Sequence, residues 1–285
     1  MATHGDDGGG RTAVRAGAAA LHLATPTRQL ADAPLAVRVS GIPIDADVVI
    51  RLRARWWDGE ELVATARYRS LDGTIDVARD APVEGYAGVE ADGLVQALVP
   101  VADAGGTHRP SWRRSRAGGP SPTGLAADLF EVSARVDASL GADIAATIHR
   151  EACAASVLTL PVALPGSTGT LFHDPKRAPH APAIIAVPLL QRPAAARAAA
   201  LLASHGYPVL LLGALAPGHH LATVPIPVLH AAEAVLTGIA APTVPASSVL
   251  GLDLSPDRRS RQATRAWSAL LERLRDLRVA PSPQR

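Results

Sequence analysis

The pattern of hydrophobic residues changes part-way along this chain of 285 residues, and that change limits the folds it can adopt. In the first half, apolar residues alternate with polar ones in short runs, which is typical of strands with one buried face. In the second half, apolar residues form continuous runs separated by helical patterns, as in a sheet covered on both faces. The sequence therefore predicts two units of different fold class.

Five alternating segments in the first half predict antiparallel strands; they are residues 36–40, 48–56, 62–70, 129–136 and 143–149. Turns follow two of them, at Asp58-Gly59 and Asp72-Gly73, and Asp-Gly pairs favour tight connections between antiparallel strands. We expect a β-sandwich over residues 21–155. Residues 1–20, rich in glycine and alanine, are predicted to form a flexible tail, and residues 104–124 a mobile loop.

The second half contains a predicted βαβ unit. The apolar runs 181–190 and 208–212 are interpreted as parallel strands. Pro193 opens a helix between them that runs through Ser204, and Gly206 follows its end. The pattern then predicts a helix near 228–236 and a strand at 248–252. The last helix carries an apolar stripe at helical spacing, formed by Ala263, Ala266, Trp267, Leu270, Leu271, Leu274 and Leu277.

Composition excludes several classes of function. The formal net charge of +2 is too small to indicate a nucleic-acid-binding face. A single cysteine, Cys153, excludes an intrachain disulfide framework and a cysteine-rich metal site, and we interpret it as a small buried apolar residue. The apolar runs are too short to span a bilayer. The N-terminus lacks the basic start of a signal peptide, so we expect a cytoplasmic protein. We also expect no metal and no cofactor.

Several segments, taken in order, resemble the acyl-CoA thioesterase / bile acid-CoA:amino acid N-acyltransferase family. The first two are similar to the family's opening strands and to the stretch that ends its first sheet; they are LADAPLAVRVSGIPIDADVVIRLRARWWDGE and GTIDVARDAPVEGYAGVEADGLVQALVP. The second match depends on Gly85, Gly88 and Gly93. Later segments are similar to parts of its hydrolase domain; they are GSTGTLFHDP, AAALLASHGYPVLLLGALAPG, IPVLHAAEAVL and RQATRAWSALLERLRDL.

The resemblance implies an Ig-like β-sandwich followed, over residues 156–285, by an α/β-hydrolase-like domain. It also implies action on acyl-CoA or on an acyl chain bound to a carrier as a thioester. Such a hydrolase needs a nucleophile on a strand-to-helix elbow, an activating acid and histidine, and backbone N–H groups that form an oxyanion hole. The region after the last predicted strand runs almost directly into the final helix, so we expect a shortened hydrolase domain.

The expected catalytic groups are largely missing from the sequence. The oxyanion segment, residues 188–193, contains two prolines and no glycine. Asp253 stands where the nucleophile belongs, and Ser255 follows where the elbow has its second glycine. The alternative interpretation is that Asp253 only ends a strand or begins a turn.

The histidines offer only weak substitutes. No histidine follows Asp253, because the last one is His230. His219 and His220 lie after the 208–212 strand, on the side where such sheets place their sites, and are weak candidates for a base. We expect His205 to make a cap interaction at a helix end.

Two functional hypotheses follow from these observations. One is a thioester hydrolase or acyltransferase with degraded catalytic machinery, using Asp253, Ser255, His219 or His220. The other is a non-catalytic binding or interaction protein of the same fold. Loss of strands leaves a sheet edge that needs cover, so we also expect a homodimer or a protein partner there.

Overall fold

The computed structural model describes residues 21–101, 125–137, 143–177, 182–188, 192–213, 224–238, 250–252 and 261–279. The predicted tail at 1–20 and the predicted loop at 104–124 lie outside these residues.

The described chain is mostly β-structure with few helices. The first half contains nine strands and one short helix among the described residues: β1 (His22–Ala24), β2 (Arg28–Leu30), β3 (Arg38–Ser40), β4 (Asp47–Arg55), β5 (Glu61–Arg69), β6 (Thr74–Asp76), α1 (Gly93–Gln96), β7 (Val99–Pro100), β8 (Asp128–Val136) and β9 (Ile144–Glu151). The remaining described elements are β10 (Leu158–Leu164), β11 (Ser167–His173), β12 (Ile184–Pro188), α2 (Arg192–Ser204), β13 (Val209–Leu212), α3 (Ile226–Thr237), β14 (Leu250–Leu252) and α4 (Arg261–Val279).

Two sheets in the first half enclose one hydrophobic core. The smaller has the strand order β1-β3-β6 and the larger β2-β9-β8-β4-β5-β7. Val39 and Ile75 of the smaller sheet belong to the same buried cluster as Ile50, Leu52 and Phe130 of the larger one. The pairings are antiparallel as predicted, except that β2 runs parallel to β9.

Alternation in the sequence located the long strands of this half. The predictions at 48–56, 62–70, 129–136 and 143–149 are confirmed to within two residues by β4, β5, β8 and β9. No pattern in the sequence predicted β1, β2, β6, β7 or α1. These elements have only two to four residues each, which is too short for a periodicity to be recognised.

At two of the glycines that carry the family resemblance, the structure leaves no room for a side chain. Gly85 has a φ of +119°, and a Cβ atom added to it would lie 2.7 Å from the carbonyl oxygen of Thr65. A Cβ atom at Gly93 would lie 2.1 Å from the ring of Tyr86. The hydroxyl of Tyr86 is 2.6 Å from that of Tyr68. Larger residues at either glycine would displace this packed segment.

A third sheet, of order β10-β11-β13-β12-β14, occupies the second half. β12 pairs in parallel with both β13 and β14, which confirms the predicted βαβ unit formed by β12, α2 and β13. β10 and β11 form an antiparallel hairpin beside them. β10 was not predicted because Pro161 and Pro165 interrupt the pattern; an edge strand such as β10 tolerates proline.

Helices cover both faces of this third sheet. One face packs against α2 and α4, and that cluster includes Leu202, Trp267 and Leu274. The other face packs against α3 through Val228 and Leu236. The predicted apolar stripe of the last helix is thus confirmed at Trp267 and Leu274, which are 1% and 4% exposed.

Candidate functional site

The carboxyl ends of three parallel strands meet at one edge of the third sheet. Pro188 at the end of β12 pairs with Leu252 at the end of β14, and Ala186 pairs with Leu211 near the end of β13. The residues of β12 and β13 are almost all buried, so the strand ends are held by the core below them. Ligands of open α/β sheets bind at this kind of edge.

The catalytic candidates from the sequence all follow these strand ends. Asp253 comes directly after Leu252, with Ser255 two residues later, and His219 and His220 lie after β13. All four candidates fall outside the described residues. The structure therefore brings together the strands that lead into them, and their own positions stay predictions.

The predicted oxyanion segment is described only at its ends. Pro188 ends β12 and Pro193 lies in the first turn of α2, whereas residues 189–191 fall outside the described part. Pro188 and Pro193 have no N–H to offer an oxyanion. The segment contains no glycine.

A buried carboxylate that the sequence did not single out lies where the two halves meet. Asp32 is 6% exposed. Its Oδ2 lies 2.6 Å from Nε2 of His205, at the end of α2, and accepts a hydrogen bond of 2.9 Å from Nε1 of Trp267 on α4. We call these three residues the histidine joint. His205 was expected to make a cap interaction, but its ring instead pairs with Asp32, which is 173 residues away in sequence.

An aspartate–histidine pair also occurs in hydrolases, where it activates a nucleophile. The neighbouring Ser204 cannot fill that role here, because its buried hydroxyl accepts from the N–H of Ala154 and donates to the carbonyl of Ala200, both at 2.8 Å. Among the interactions that the structure describes, the histidine joint therefore connects parts of the fold and has no nucleophile assigned to it.

Cys153 is half-buried and packs against the same cluster as Trp267, so its interpretation as a small buried apolar residue is confirmed only in part. Burial raises the pKa of its thiol, and Glu151 raises the pKa further, whereas Arg197 acts in the opposite direction. A raised pKa keeps the thiol protonated near neutral pH, which disfavours a nucleophilic role.

A second polar connection, which we call the arginine joint, is buried completely. Nη2 of Arg197, on α2, lies 2.5 Å from Oδ2 of Asp128 at the start of β8. Nη1 of Arg197 donates to the carbonyl of Ala126, and Oδ1 of Asp128 accepts from the N–H of Trp57. The side chains of Arg197 and Asp128 are 1% and 0% exposed. This pair fixes α2 against the large sheet of the first half.

Two further observations concern metal ligands and membrane-spanning helices in the described part of the chain. Within the described ranges, no group of three or more histidine, cysteine, aspartate or glutamate residues is arranged to hold a metal ion. None of the described helices combines the length and the apolarity needed to cross a membrane.

Comparison with known proteins finds a family match within the first half of the chain. Residues 32–116 match the family model described as "Acyl-CoA thioester hydrolase/BAAT N-terminal region". This region of the chain is therefore similar to the N-terminal region of the acyl-CoA thioester hydrolase/BAAT family. The resemblance seen in the sequence is thereby confirmed. The matched region begins at Asp32, so the buried carboxylate of the histidine joint is its first residue.

A relative within this family shares a longer stretch of sequence. The chain is 30% identical over 207 residues to acyl-coenzyme A thioesterase 2, mitochondrial, from Rattus norvegicus. That alignment covers 72% of this chain and 43% of the relative. The chain thus spans less than half the length of the curated relative it matches. The relative's name places that protein in mitochondria, and the cytoplasmic location expected for this chain stays a prediction.

Proposed function

We propose that this protein acts on acyl thioesters, with an acyl group carried by CoA or by an acyl carrier, and that its catalytic machinery is reduced. Similarity to the acyl-CoA thioester hydrolase/BAAT family supports this function. On this proposal the first half is an Ig-like β-sandwich and the second a shortened α/β-hydrolase-like domain. The helices on both faces of the third sheet, and its parallel strands β13-β12-β14, are consistent with that domain.

The single observation that carries the proposed site is the convergence of β12, β13 and β14. Because Leu252 lies beside Pro188, Asp253 follows a strand end at the edge where such sheets bind ligands. In the proposed reaction, the carboxylate of Asp253 attacks the thioester carbonyl, the C–S bond breaks, and the thiolate leaves and takes up a proton from His219 or His220. Water then hydrolyses the resulting anhydride and restores the carboxylate.

A second candidate function is binding without catalysis, and specific observations favour it. Ser204 and His205 are both committed to contacts within the fold, and Cys153 is a thiol with a raised pKa. The segment at 188–193 has no glycine with which to build an oxyanion hole of the usual kind. A protein of this kind would hold an acyl thioester, or a partner that carries one, without cleaving it.

The predicted homodimer or protein partner would cover the β14 edge of the third sheet, because the missing strands would follow β14. The opposite edge, formed by β10, is a second place where another chain could pair. β10 lies at one edge of the third sheet, and Leu158 and Leu160 on it are 47% and 45% exposed. Exposed apolar edge strands favour pairing with another chain. The association itself stays a prediction, which size-exclusion chromatography with light scattering would test.

The deciding experiment measures release of free thiol from acyl-CoAs of short, medium and long chain. Wild type is compared with Asp253→Ala and with Asp58→Ala, an aspartate in a turn of the first half that serves as the matched control. Turnover that is lost in Asp253→Ala and kept in Asp58→Ala supports hydrolysis at the proposed edge. Turnover that survives in Asp253→Ala contradicts the assignment of the nucleophile.

If folded wild type shows no turnover but still binds acyl-CoA, the result supports binding without catalysis. Equilibrium dialysis with a labelled, non-hydrolysable acyl-CoA thioether measures that binding. A folded protein that neither cleaves nor binds these compounds would contradict both functions.

A further inference from the structure

Three arginines line the face of the large sheet that points away from its core. Along β4, Ile50 and Leu52 belong to the hydrophobic core. Because side chains alternate along a strand, Arg51, Arg53 and Arg55 project to the opposite face. Arginine at three successive positions on one strand face concentrates positive charge there.

The neighbours of Arg51 across the sheet are both hydroxyl residues. Arg51 pairs with Thr65 on β5 and with Ser133 on β8. Arg51 and Ser133 are half-buried, and Thr65 is exposed. Directly opposed residues on a sheet have Cβ atoms about 5 Å apart, so the two hydroxyls flank the arginine stem.

Arg53 is buried although it points away from the core. It is 7% exposed, and burial lowers the pKa of its guanidinium, which the neighbouring Arg51 lowers further. In the described part of the chain, neither Nη1 of Arg53 nor Nε of Arg51 has a hydrogen-bond partner, although both atoms are buried. A buried cationic group whose donor is unused is costly unless an acceptor reaches it.

Nearby carboxylates balance only part of the positive charge of the three β4 arginines. Glu131 lies across from Arg53 and Glu61 across from Arg55, so the three arginines of β4 face two glutamates. The neighbours of Arg51 carry no charge, whereas Glu131 lies across from Arg53, so the positive charge is least balanced at Arg51.

Other arginines on this face already have carboxylate partners. Arg67 lies 2.6 Å from Asp137 and 3.3 Å from Glu84. Arg135 lies 3.9 Å from Asp143. Arg67 also has a buried Nε without a hydrogen-bond partner, but two carboxylates lie within ion-pair distance of it, whereas Arg51 has no charged residue opposite it on either neighbouring strand.

We propose that Arg51 and Arg53, together with the hydroxyls of Thr65 and Ser133, form a binding site for a phosphate-bearing anion. Guanidinium groups present several N–H donors in a fixed fork that fits the oxygens of a tetrahedral phosphate. Hydroxyl groups of serine and threonine supply further donors. The site lies on the face of the first-half sheet away from its core and does not depend on thioester cleavage.

Titration calorimetry with inorganic phosphate at low ionic strength tests the site directly. We expect saturable binding to wild type and a weakening of at least about tenfold in Arg51→Gln. Arg79→Gln is the matched control, because Arg79 is an exposed loop arginine with an 83% exposed side chain. It should bind phosphate as wild type does.

Parallel titrations with adenosine 3′,5′-bisphosphate and with CoA distinguish the sources of the phosphate. Displacement of either compound by inorganic phosphate, and loss of its binding in Arg51→Gln, supports the site and identifies that source. Binding of CoA that neither phosphate nor Arg51→Gln affects would assign its phosphates to another place and contradict the proposal for CoA.

Thermal unfolding shows whether the Arg51→Gln variant is folded and gives a second measure of phosphate binding. Phosphate should raise the Tm of wild type and of Arg79→Gln but not that of Arg51→Gln, because a ligand stabilises only the state that binds it. Wild type that is folded and shows neither phosphate binding nor a rise in Tm would overturn the proposal. An equal loss in Arg51→Gln and Arg79→Gln would also overturn it.

Discussion

The arginine joint and the histidine joint connect the same two halves of the molecule with buried carboxylates, but their partners differ. Asp128 meets the guanidinium of Arg197, and both side chains are almost fully buried. Asp32 meets the imidazole of His205, whose side chain is 31% exposed, and the indole N–H of Trp267. One joint uses a permanent cation shielded from water, whereas the other uses an imidazole at the surface.

This difference determines how each joint responds when it is broken. Removal of Arg197 leaves a buried charge on Asp128 that water cannot reach, and such a group is strongly destabilising. Removal of the His205 ring leaves a carboxylate that Trp267 still contacts and that solvent can approach. The two joints should therefore contribute unequally to the free energy of unfolding, although their distances are similar.

The largest effect is expected for Arg197→Met. Methionine fills similar volume but leaves Asp128 without its charged partner and Ala126 without a donor. We expect the free energy of unfolding to fall by about 3–5 kcal/mol, measured by urea denaturation followed by far-UV circular dichroism.

The double variant Arg197→Met/Asp128→Asn is the control for this prediction. Asparagine keeps an oxygen that can accept from the N–H of Trp57 and removes the buried charge. Most of the lost stability should return. A loss below about 1 kcal/mol in Arg197→Met would show that the pair contributes no more than a surface ion pair does.

Trp267→Phe should have a smaller effect. Phenylalanine keeps an aromatic ring in the cluster that contains Leu202 and Leu274, but it removes the Nε1 donor to Asp32. We expect a loss of about 1–3 kcal/mol, because a buried acceptor loses one of its partners. The same change in an Asp32→Asn background should cost less; an equal cost in both backgrounds would assign the loss to packing alone.

His205→Gln should have the smallest effect on stability among the joint variants. Glutamine retains a polar group that can donate to Asp32, and the site is open to solvent. We expect a loss of about 1 kcal/mol or less in the same urea assay. A loss as large as that of Arg197→Met would contradict the ranking of the two joints.

Sequence patterns predicted the elements on both sides of these joints but not the joints themselves. Alternation located β4, β5, β8 and β9, and the helical stripe identified Trp267 as a core residue. The partner of Trp267 lies 235 residues away, and that of Arg197 lies 69 residues away. Such pairs depend on how two units pack, which no local periodicity encodes. In the candidate site, the sheet topology brings the strand ends together, whereas the predicted catalytic residues after them lie outside the described part of the chain.

The smallest expected difference between the two joints concerns the pH dependence of Cys153 alkylation. Because burial raises the pKa of this thiol, its reaction with iodoacetamide in the folded protein should reach half its maximum rate above the ordinary thiol value of about 8.5. In urea-unfolded protein the midpoint should return to that value. The folded state therefore binds the proton more tightly, so stability is retained at lower pH and lost as the pH rises through the folded pKa.

Arg197 lowers the pKa of this thiol, so Arg197→Met should move the midpoint of alkylation upward by less than about one pH unit. His205→Gln leaves that cation in place and should not move the midpoint. Both variants are measured under conditions in which they stay folded. A shift in His205→Gln, or a downward shift in Arg197→Met, would show that the field at Cys153 comes from a group other than the guanidinium of the arginine joint.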